Sequence, residues 1–309
     1  MGLMKRILAY FKQTYSQFSS DEGFMMAAAL AYYTLFSIGP LLVIVITIIS
    51  FLTQSSALEG EFFTQLGVIM GKQSALQLKS IVENARLSSS GLVATMISIG
   101  TLLVSGTAVV VQLKETLNRA WNVAKNPNLG FKTVVIDRLL SLGFLAGIGF
   151  VFLVSLGLNA VAIVLSNQVQ VLLPQIGETS FVLISLFIGA TVTFSMFFLL
   201  FKYLPDAKLQ SKDLLVGAFA TTILFIIGKY LIAYYLGSSD IEGTFGSAGA
   251  LASFMIWVYY NSVILIIGAE FTQVYAEKNG RGIAPTEQAV KVERILKTGE
   301  EVDSDTPNS

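Results

Sequence analysis

The sequence predicts an all-α fold, an integral membrane bundle of six transmembrane helices with an amphipathic helical outer segment between the first two. Three observations predict it. Six runs, at about 24–51, 91–111, 139–165, 179–203, 213–236 and 247–275, are mostly apolar over at least the ~20 residues that span a ~30 Å hydrocarbon core. Charged residues make up only 13% of the 309, against 54% hydrophobic, whereas soluble domains average ~25% charged. Lys and Arg also gather on one side: sixteen of the 20 lie before the first run or after the second, fourth and sixth. The opposite side holds only Lys72, Lys79 and Arg86, and Lys229 lies inside a span. By the positive-inside rule, both termini are expected in the cytoplasm.

Residues 1–23 form a cytoplasmic amphipathic segment. Leu3, Ile7, Leu8, Phe11, Tyr15 and Phe18 recur at helical spacing with Lys5, Arg6 and Lys12 between them, which fits a helix lying on the inner membrane surface or one packed on the bundle. Ser19 and Glu22 are spaced as a capping box, and Asp21 and Glu22 suit the positive end of the next helix. The transmembrane domain then occupies 24–277. Its one long outer segment, 52–90, carries Phe62, Phe63, Leu66, Ile69 and Met70, then Leu76, Leu78, Ile81, Val82 and Ala85, at helical intervals. One or two amphipathic helices are expected there, over the outer mouth of the bundle. The outer loops 166–178 and 237–246 are short and lack basic residues. Residues 278–309 read as a cytoplasmic polar tail, with a short helix near 286–298 and disorder over the last ten residues. No internal repeat stands out to suggest an inverted-repeat transporter.

Polar groups inside a bilayer are costly, so each is a candidate for function. At the helical rise, Lys229 lies about 24 Å from the cytoplasmic start of its helix at Asp213, in the outer half of the membrane. Pro40 lies at a similar depth in the first helix, where its missing N–H frees the carbonyl of Phe36. Asn159 falls near the outer interface, and Glu242, with Asp240, sits in the loop just beyond the Lys229 helix. Lys229, Asn159, Pro40, Phe36 and Glu242 are therefore the candidate lining of a substrate path in the outer half, with Lys229 as its positive floor. Glu270 lies about 35 Å down the last helix, at the inner interface, as a gate or anchor too far from Lys229 to pair with it. The plainer account makes Pro40 a packing kink, Asn159 an interhelical hydrogen bond and Lys229 a residue that snorkels outward.

Gly143 and Gly147 form a GxxxG pair, for which close helix packing is the first expectation. The chain has no Cys and no His, which excludes disulfides and thiolate metal sites and removes the commonest metal ligand and general base. No cofactor and no catalytic residues are expected.

Several stretches together resemble the YihY/BrkB membrane-protein family: residues 27–41 (AAALAYYTLFSIGPL), Leu117-Asn118-Arg119-Ala120-Trp121-Asn122, and Tyr203-Leu204-Pro205. Lys212 to Phe219 leading to Gly228-Lys229, and Trp257-Val258-Tyr259 leading to Gly268-Ala269-Glu270, strengthen the likeness. The resemblance covers about 24–277 and implies a multi-pass protein of a bacterial inner membrane whose biochemical role is poorly defined. Some relatives carry a polar residue where this chain has Ala29, which weakens any site proposed at that point. One label attached to the family, ribonuclease BN, implies RNA cleavage, but metal-dependent nucleases gather His and carboxylates around their metals. Here the acids Glu115, Asp137, Asp206 and Asp213 form no such motif. The expected partners are membrane lipids and a small solute or lipid-like substrate, not nucleic acid; the oligomeric state is not legible. The leading expectation is a transporter- or flippase-like protein, and the alternative is a non-catalytic membrane factor for envelope integrity or complex assembly.

Overall fold

The computed structural model of the protein describes residues 3–53, 92–127, 136–147, 174–239 and 248–292, with a few single positions between and beside these stretches. Helices α1 (Leu3–Ser20) and α2 (Gly23–Thr53) are followed by α3 (Leu92–Ala120), a helical segment α4 (136–147), α5 (Pro174–Tyr203), α6 (Ser211–Ser238) and α7 (Gly249–Lys278). Among the described residues three helical stretches, Leu186–Tyr203, Ser211–Ser238 and Leu251–Lys278, are long and apolar enough to cross a membrane. The chain is thus mostly helical, as its composition requires.

Helix α7 is the hub, packing on α6, α2, α1 and α3, while α5 packs on α6 and α3 on α2. The α6–α7 seam is built from one pattern used twice. Gly217 and Thr221 on α6 meet Thr272 and Gly268 on α7, so that a Cβ added at either glycine would overlap the threonine opposite. Each threonine turns its hydroxyl back to the carbonyl four residues earlier, Thr221 to Gly217 and Thr272 to Gly268, both at 2.7 Å. The polar atoms are satisfied within each helix, which frees the two backbones to approach closely.

The largest packed core lies at the end of the bundle that holds the N-terminal helix and the C-terminal strands. Leu117, Trp121, Phe201, Leu214 and Ala269 are buried together there. The Trp121 indole N–H donates to the carbonyl of Ala269 at 3.0 Å, so its polar atom is satisfied in the interior. Two ribbons close this end. Strand β1 (Val123–Lys125) pairs antiparallel with β4 (Ala289–Lys291), and β2 (Ala207–Lys208) with β3 (Ala284–Pro285). The chain after α7 is thereby stitched to the connections that leave α3 and α5.

Three local expectations change. The helix expected near 286–298 is instead strand β4 over its described part, because Val123–Lys125 offers it a partner that periodicity cannot see. The Ser19–Glu22 pair does not act as the expected box: Glu22 takes a left-handed backbone (φ 58°) at the α1–α2 junction and its carboxylate pairs with Arg119 of α3. Helix α2 continues through Pro40 rather than breaking there. Helix α1 packs on the bundle. Thr14 and Phe18 are buried and Tyr10 packs beside Phe271 and Tyr275 of α7, while Leu8, Phe11 and Tyr15 remain exposed on the other face. The expected amphipathic outer segment, 52–90, lies outside the described residues from position 54 on, apart from single positions, as does the end of the tail.

Candidate functional site

The expected outer path is described only in part. Asn159 and Glu242 lie outside the described residues, and of Pro40 only the backbone is described. Phe36 is exposed on α2 with its ring beside Tyr32. Lys229 is exposed on α6, next to Gly228, whose missing side chain accommodates Tyr260 and Ile264 of α7. That register sets Lys229 level with residue 260, some ten residues along α7 from Glu270, or roughly 15 Å at the helical rise. Glu270 is fully buried beside the Trp121–Ala269 contact. Lys229 and Glu270 are not brought together.

The structure instead gathers charge at the basic end, on residues that α3, α4 and the α5–α6 connection supply. Lys114 of α3 donates to Asp137 Oδ1 at 3.0 Å and pairs with Asp206 Oδ1 at 2.8 Å. Lys125 of β1 pairs with the second oxygen of Asp137. Asn118, one helical turn beyond Lys114, donates through Nδ2 to Asp206 Oδ2 at 3.0 Å, and its Oδ1 accepts the Asp206 backbone N–H at 2.7 Å. Arg138, the next residue after Asp137, donates through Nη1 to the Val104 carbonyl at 3.0 Å and to Thr107 Oγ1 at 2.8 Å. Together Lys114 and Arg138 fasten α4 to α3 at two heights.

Lys114 and Asp137 lie just outside the predicted spans, and each protects the other's charge. Burial by itself lowers the Lys114 ammonium, but the hydrogen bonds and charges of Asp206 and Asp137 outweigh it and hold the group above the usual lysine value. Burial likewise pushes the Asp137 carboxyl up, and the bonds from Lys125 and Lys114 bring it below the usual carboxylate value. Both therefore stay ionised through the neutral range.

Two cavities meet at this cluster. A polar cleft of about 510 Å³ is lined by Lys114, Glu115, Arg119, Lys125, Asp137 and Arg138, with Val292 of the C-terminal segment at its edge. A second cavity of about 480 Å³ runs between α4 and α5, over Leu140, Gly143, Phe144, Gly147, Met196 and Leu199. Lys114, Asp137 and Asp206 line both. Gly143 and Gly147 are exposed, and among the described residues nothing lies within 4 Å of a Cβ added at either. Among the described residues the GxxxG pair thus floors a groove and meets no close neighbour. A second buried pair, Arg281 with Asp213 Oδ1 at 3.0 Å, ties the C-terminal segment to the start of α6.

Sequence reasoning picks out Asp137, Asp206 and Asp213 only as acids without a metal motif. Lys114, Asn118 and Arg138 are visible there only as part of the basic cluster and of the motif beginning at Leu117, since their partners come from three separate parts of the chain. Among the described residues no group of His, Cys, Asp or Glu is arranged to hold a metal ion.

The comparisons with known proteins fit this layout. The chain is 27% identical over 290 residues to YfkH of Bacillus subtilis, named a ribonuclease-like protein, covering 85% of this chain and 94% of that one. It is 24% identical over 280 residues to the UPF0761 membrane protein MS0032 of Mannheimia succiniciproducens, covering 89% and 92%. Against the UPF0761 membrane protein VP0125 of Vibrio parahaemolyticus it is 25% identical over 282 residues, covering 90% and 85%. No solved structure matches the chain. The family model of virulence factor BrkB matches residues 14–292, a range that starts within α1 and holds the ion-pair cluster and both strand ribbons. The chain is a membrane protein belonging to the virulence factor BrkB family.

Proposed function

We propose that the protein is a transporter- or flippase-like component of a bacterial inner membrane, with its basic end in the cytoplasm, and that it handles an amphiphile or small anionic solute. The observation that supports this is the junction of a polar, cation-bearing cleft with an apolar groove at Lys114, Asp137 and Asp206. A protein that only scaffolds has no need of an open cavity whose one half suits a charged group and whose other half suits hydrocarbon. In this reading the substrate enters at the basic end, and Lys229 marks the outer half of its path. The alternative, a non-catalytic factor for envelope integrity or assembly, draws on the C-terminal segment, whose strands and Arg281–Asp213 pair lock the basic end. Nuclease chemistry forms no part of the proposal, because among the described residues no group of carboxylates is arranged to hold a metal ion.

Because the sequence has no Cys, single Cys substitutions at Phe225, Lys229, Ile232 and Leu236 report accessibility without background. A membrane-impermeant thiol reagent added outside is expected to label inward as far as position 229. Labelling confined to 236 in a folded protein would mean a closed outer half and would turn the assignment to the scaffold.

A further inference from the structure

We propose that the cleft and groove together form a binding site for one anionic phospholipid, with its phosphate on Arg138 and Lys125 and an acyl chain over Gly143 and Gly147. This deepens the transport reading by naming the substrate class, and it rests on that reading only for translocation of the bound lipid.

Arg138 is the reason for choosing a phosphate. Its two hydrogen bonds both use Nη1, and among the described residues no carboxylate pairs with it. Among the described residues the Nε–H and Nη2–H edge, the fork that matches two phosphate oxygens, is not engaged, in a guanidinium already fixed against α3. The cleft around it holds four cations, Lys114, Arg119, Lys125 and Arg138, against three carboxylates, Glu115, Asp137 and Asp206. Lys114 and Lys125 are paired with Asp137, Lys114 also with Asp206, and Arg119 with Glu22, which leaves Arg138 as the cation of the cleft that no described carboxylate engages and a negative headgroup as its complement.

The groove is the reason for choosing a lipid. It begins at the same Lys114–Asp137–Asp206 cluster and continues along apolar side chains of α4 and α5, including Leu139, Leu140 and Met196, all exposed. At the two glycines, one helical turn apart, no described side chain comes within 4 Å of where a Cβ would stand. A free phosphate would use the cleft and ignore the groove, whereas a phospholipid uses both. Arg138 and the first groove residues, Leu139 and Leu140, are consecutive on one helix, so one ligand can engage the cleft and the groove together.

The test uses the full chain purified in a non-ionic detergent, with lipid retention read by native mass spectrometry. Wild type is expected to retain one phosphatidylglycerol with about tenfold preference over phosphatidylethanolamine, whose phosphate is the same but whose ammonium is repelled by the cations of the cleft. Gly147→Leu fills the trough at an exposed position and is expected to lower retention about tenfold with an unchanged melting temperature. Arg138→Lys keeps the charge, loses the fork and is expected to lower retention of both lipids while leaving the preference for phosphatidylglycerol. Inorganic phosphate at millimolar concentration is expected not to displace the lipid. Equal retention of the two lipids, retention by Gly147→Leu matching wild type, or displacement by inorganic phosphate would each overturn the proposal, the last in favour of a soluble anion. Retention as expected without translocation of a fluorescent phosphatidylglycerol in proteoliposomes would keep the site and remove the transport reading.

Discussion

Two pairs of helices in this protein carry small residues one turn apart, and they put them to opposite uses. In the α6–α7 seam, Gly217 and Gly268 each receive a threonine from the other helix, and no room remains for a side chain. Between α4 and α5, Gly143 and Gly147 meet no described residue within 4 Å and form the floor of a groove. Both pairs leave a stretch of helix backbone bare; the difference lies in what stands opposite. A partner helix with a complementary Gly-x-x-x-Thr closes the gap, and one presenting Met196 and Leu199 farther away leaves it open. Small residues in a membrane helix therefore mark where a backbone is bare, and only the facing element decides between a joint and a site.

The comparison breaks most visibly at the seam. Gly217→Leu or Gly268→Leu would drive a branched side chain into Thr272 or Thr221 next to the opposing backbone, and overpacking in a tight interior costs typically ~1–3 kcal/mol and occasionally more. Because α7 also carries α1, α2 and α3, the expected outcome is the larger effect, loss of folded monodisperse protein in fluorescence-detected size exclusion. Pairing Gly217→Leu with Thr272→Ala should recover part of it, since the clash is with that side chain.

Next in size is the charge cluster at the head of the groove. Lys114→Met removes the shared partner of Asp137 and Asp206, and breaking a buried pair from one side costs about 3–5 kcal/mol. Lys125 still faces Asp137 and Asn118 still donates to Asp206, so the lower part of that range is expected, seen as a fall in melting temperature. Replacing all three with Lys114→Met, Asp137→Asn and Asp206→Asn should cost less than the single change, because the charge then left without its partner, Lys125, is exposed to solvent.

The same cluster predicts an acid limb. The carboxyl of Asp137 is held below its usual value by Lys125 and Lys114 against the opposing effect of burial. Its contribution to stability is fully present above the unfolded carboxylate value of about 3.9 and is lost as pH falls through the lower folded value. Lys114 is held above its usual value, so its contribution is present below about 10.4 and is lost only as pH rises beyond that. Melting temperature should thus be level across the neutral range, decline in acid, and lose that part of the acid decline in Asp137→Asn.

How much of this is legible in the sequence depends on the range of the interaction. The long apolar runs announce helices because their signal is local, and the excess of Lys and Arg marks the end at which Lys114, Lys125 and Arg138 gather. The motif from Leu117 to Asn122 is recognisable as a pattern, but its work is visible only in three dimensions. Leu117 and Trp121 fill the core, Asn118 holds Asp206, Arg119 holds Glu22, and Asn122 turns the chain with φ 53°. The ribbons escape sequence reading because strands of two or three residues have no periodicity, and each finds its partner from a distant part of the chain. The outer candidates rest on the cost of burying polar groups. That argument picks out Lys229 and says nothing of cavities, which form where helices diverge.

The smallest expected effect sharpens the comparison most. Gly143→Leu and Gly147→Leu, the same chemical change that should ruin the seam, place a side chain at exposed positions with no described neighbour within 4 Å. Such substitutions usually stay within about 0.5 kcal/mol, and removing a glycine from a helix interior returns roughly 0.5–1 kcal/mol of backbone entropy. The melting temperature should therefore hold or rise slightly, while an apolar fluorophore that partitions into the groove should bind more weakly to Gly147→Leu. A sharp loss of stability would show that α5 closes on α4 in the membrane and that the groove is a second seam. Unchanged stability with weakened binding would establish that the two glycine pairs differ in function as they do in packing.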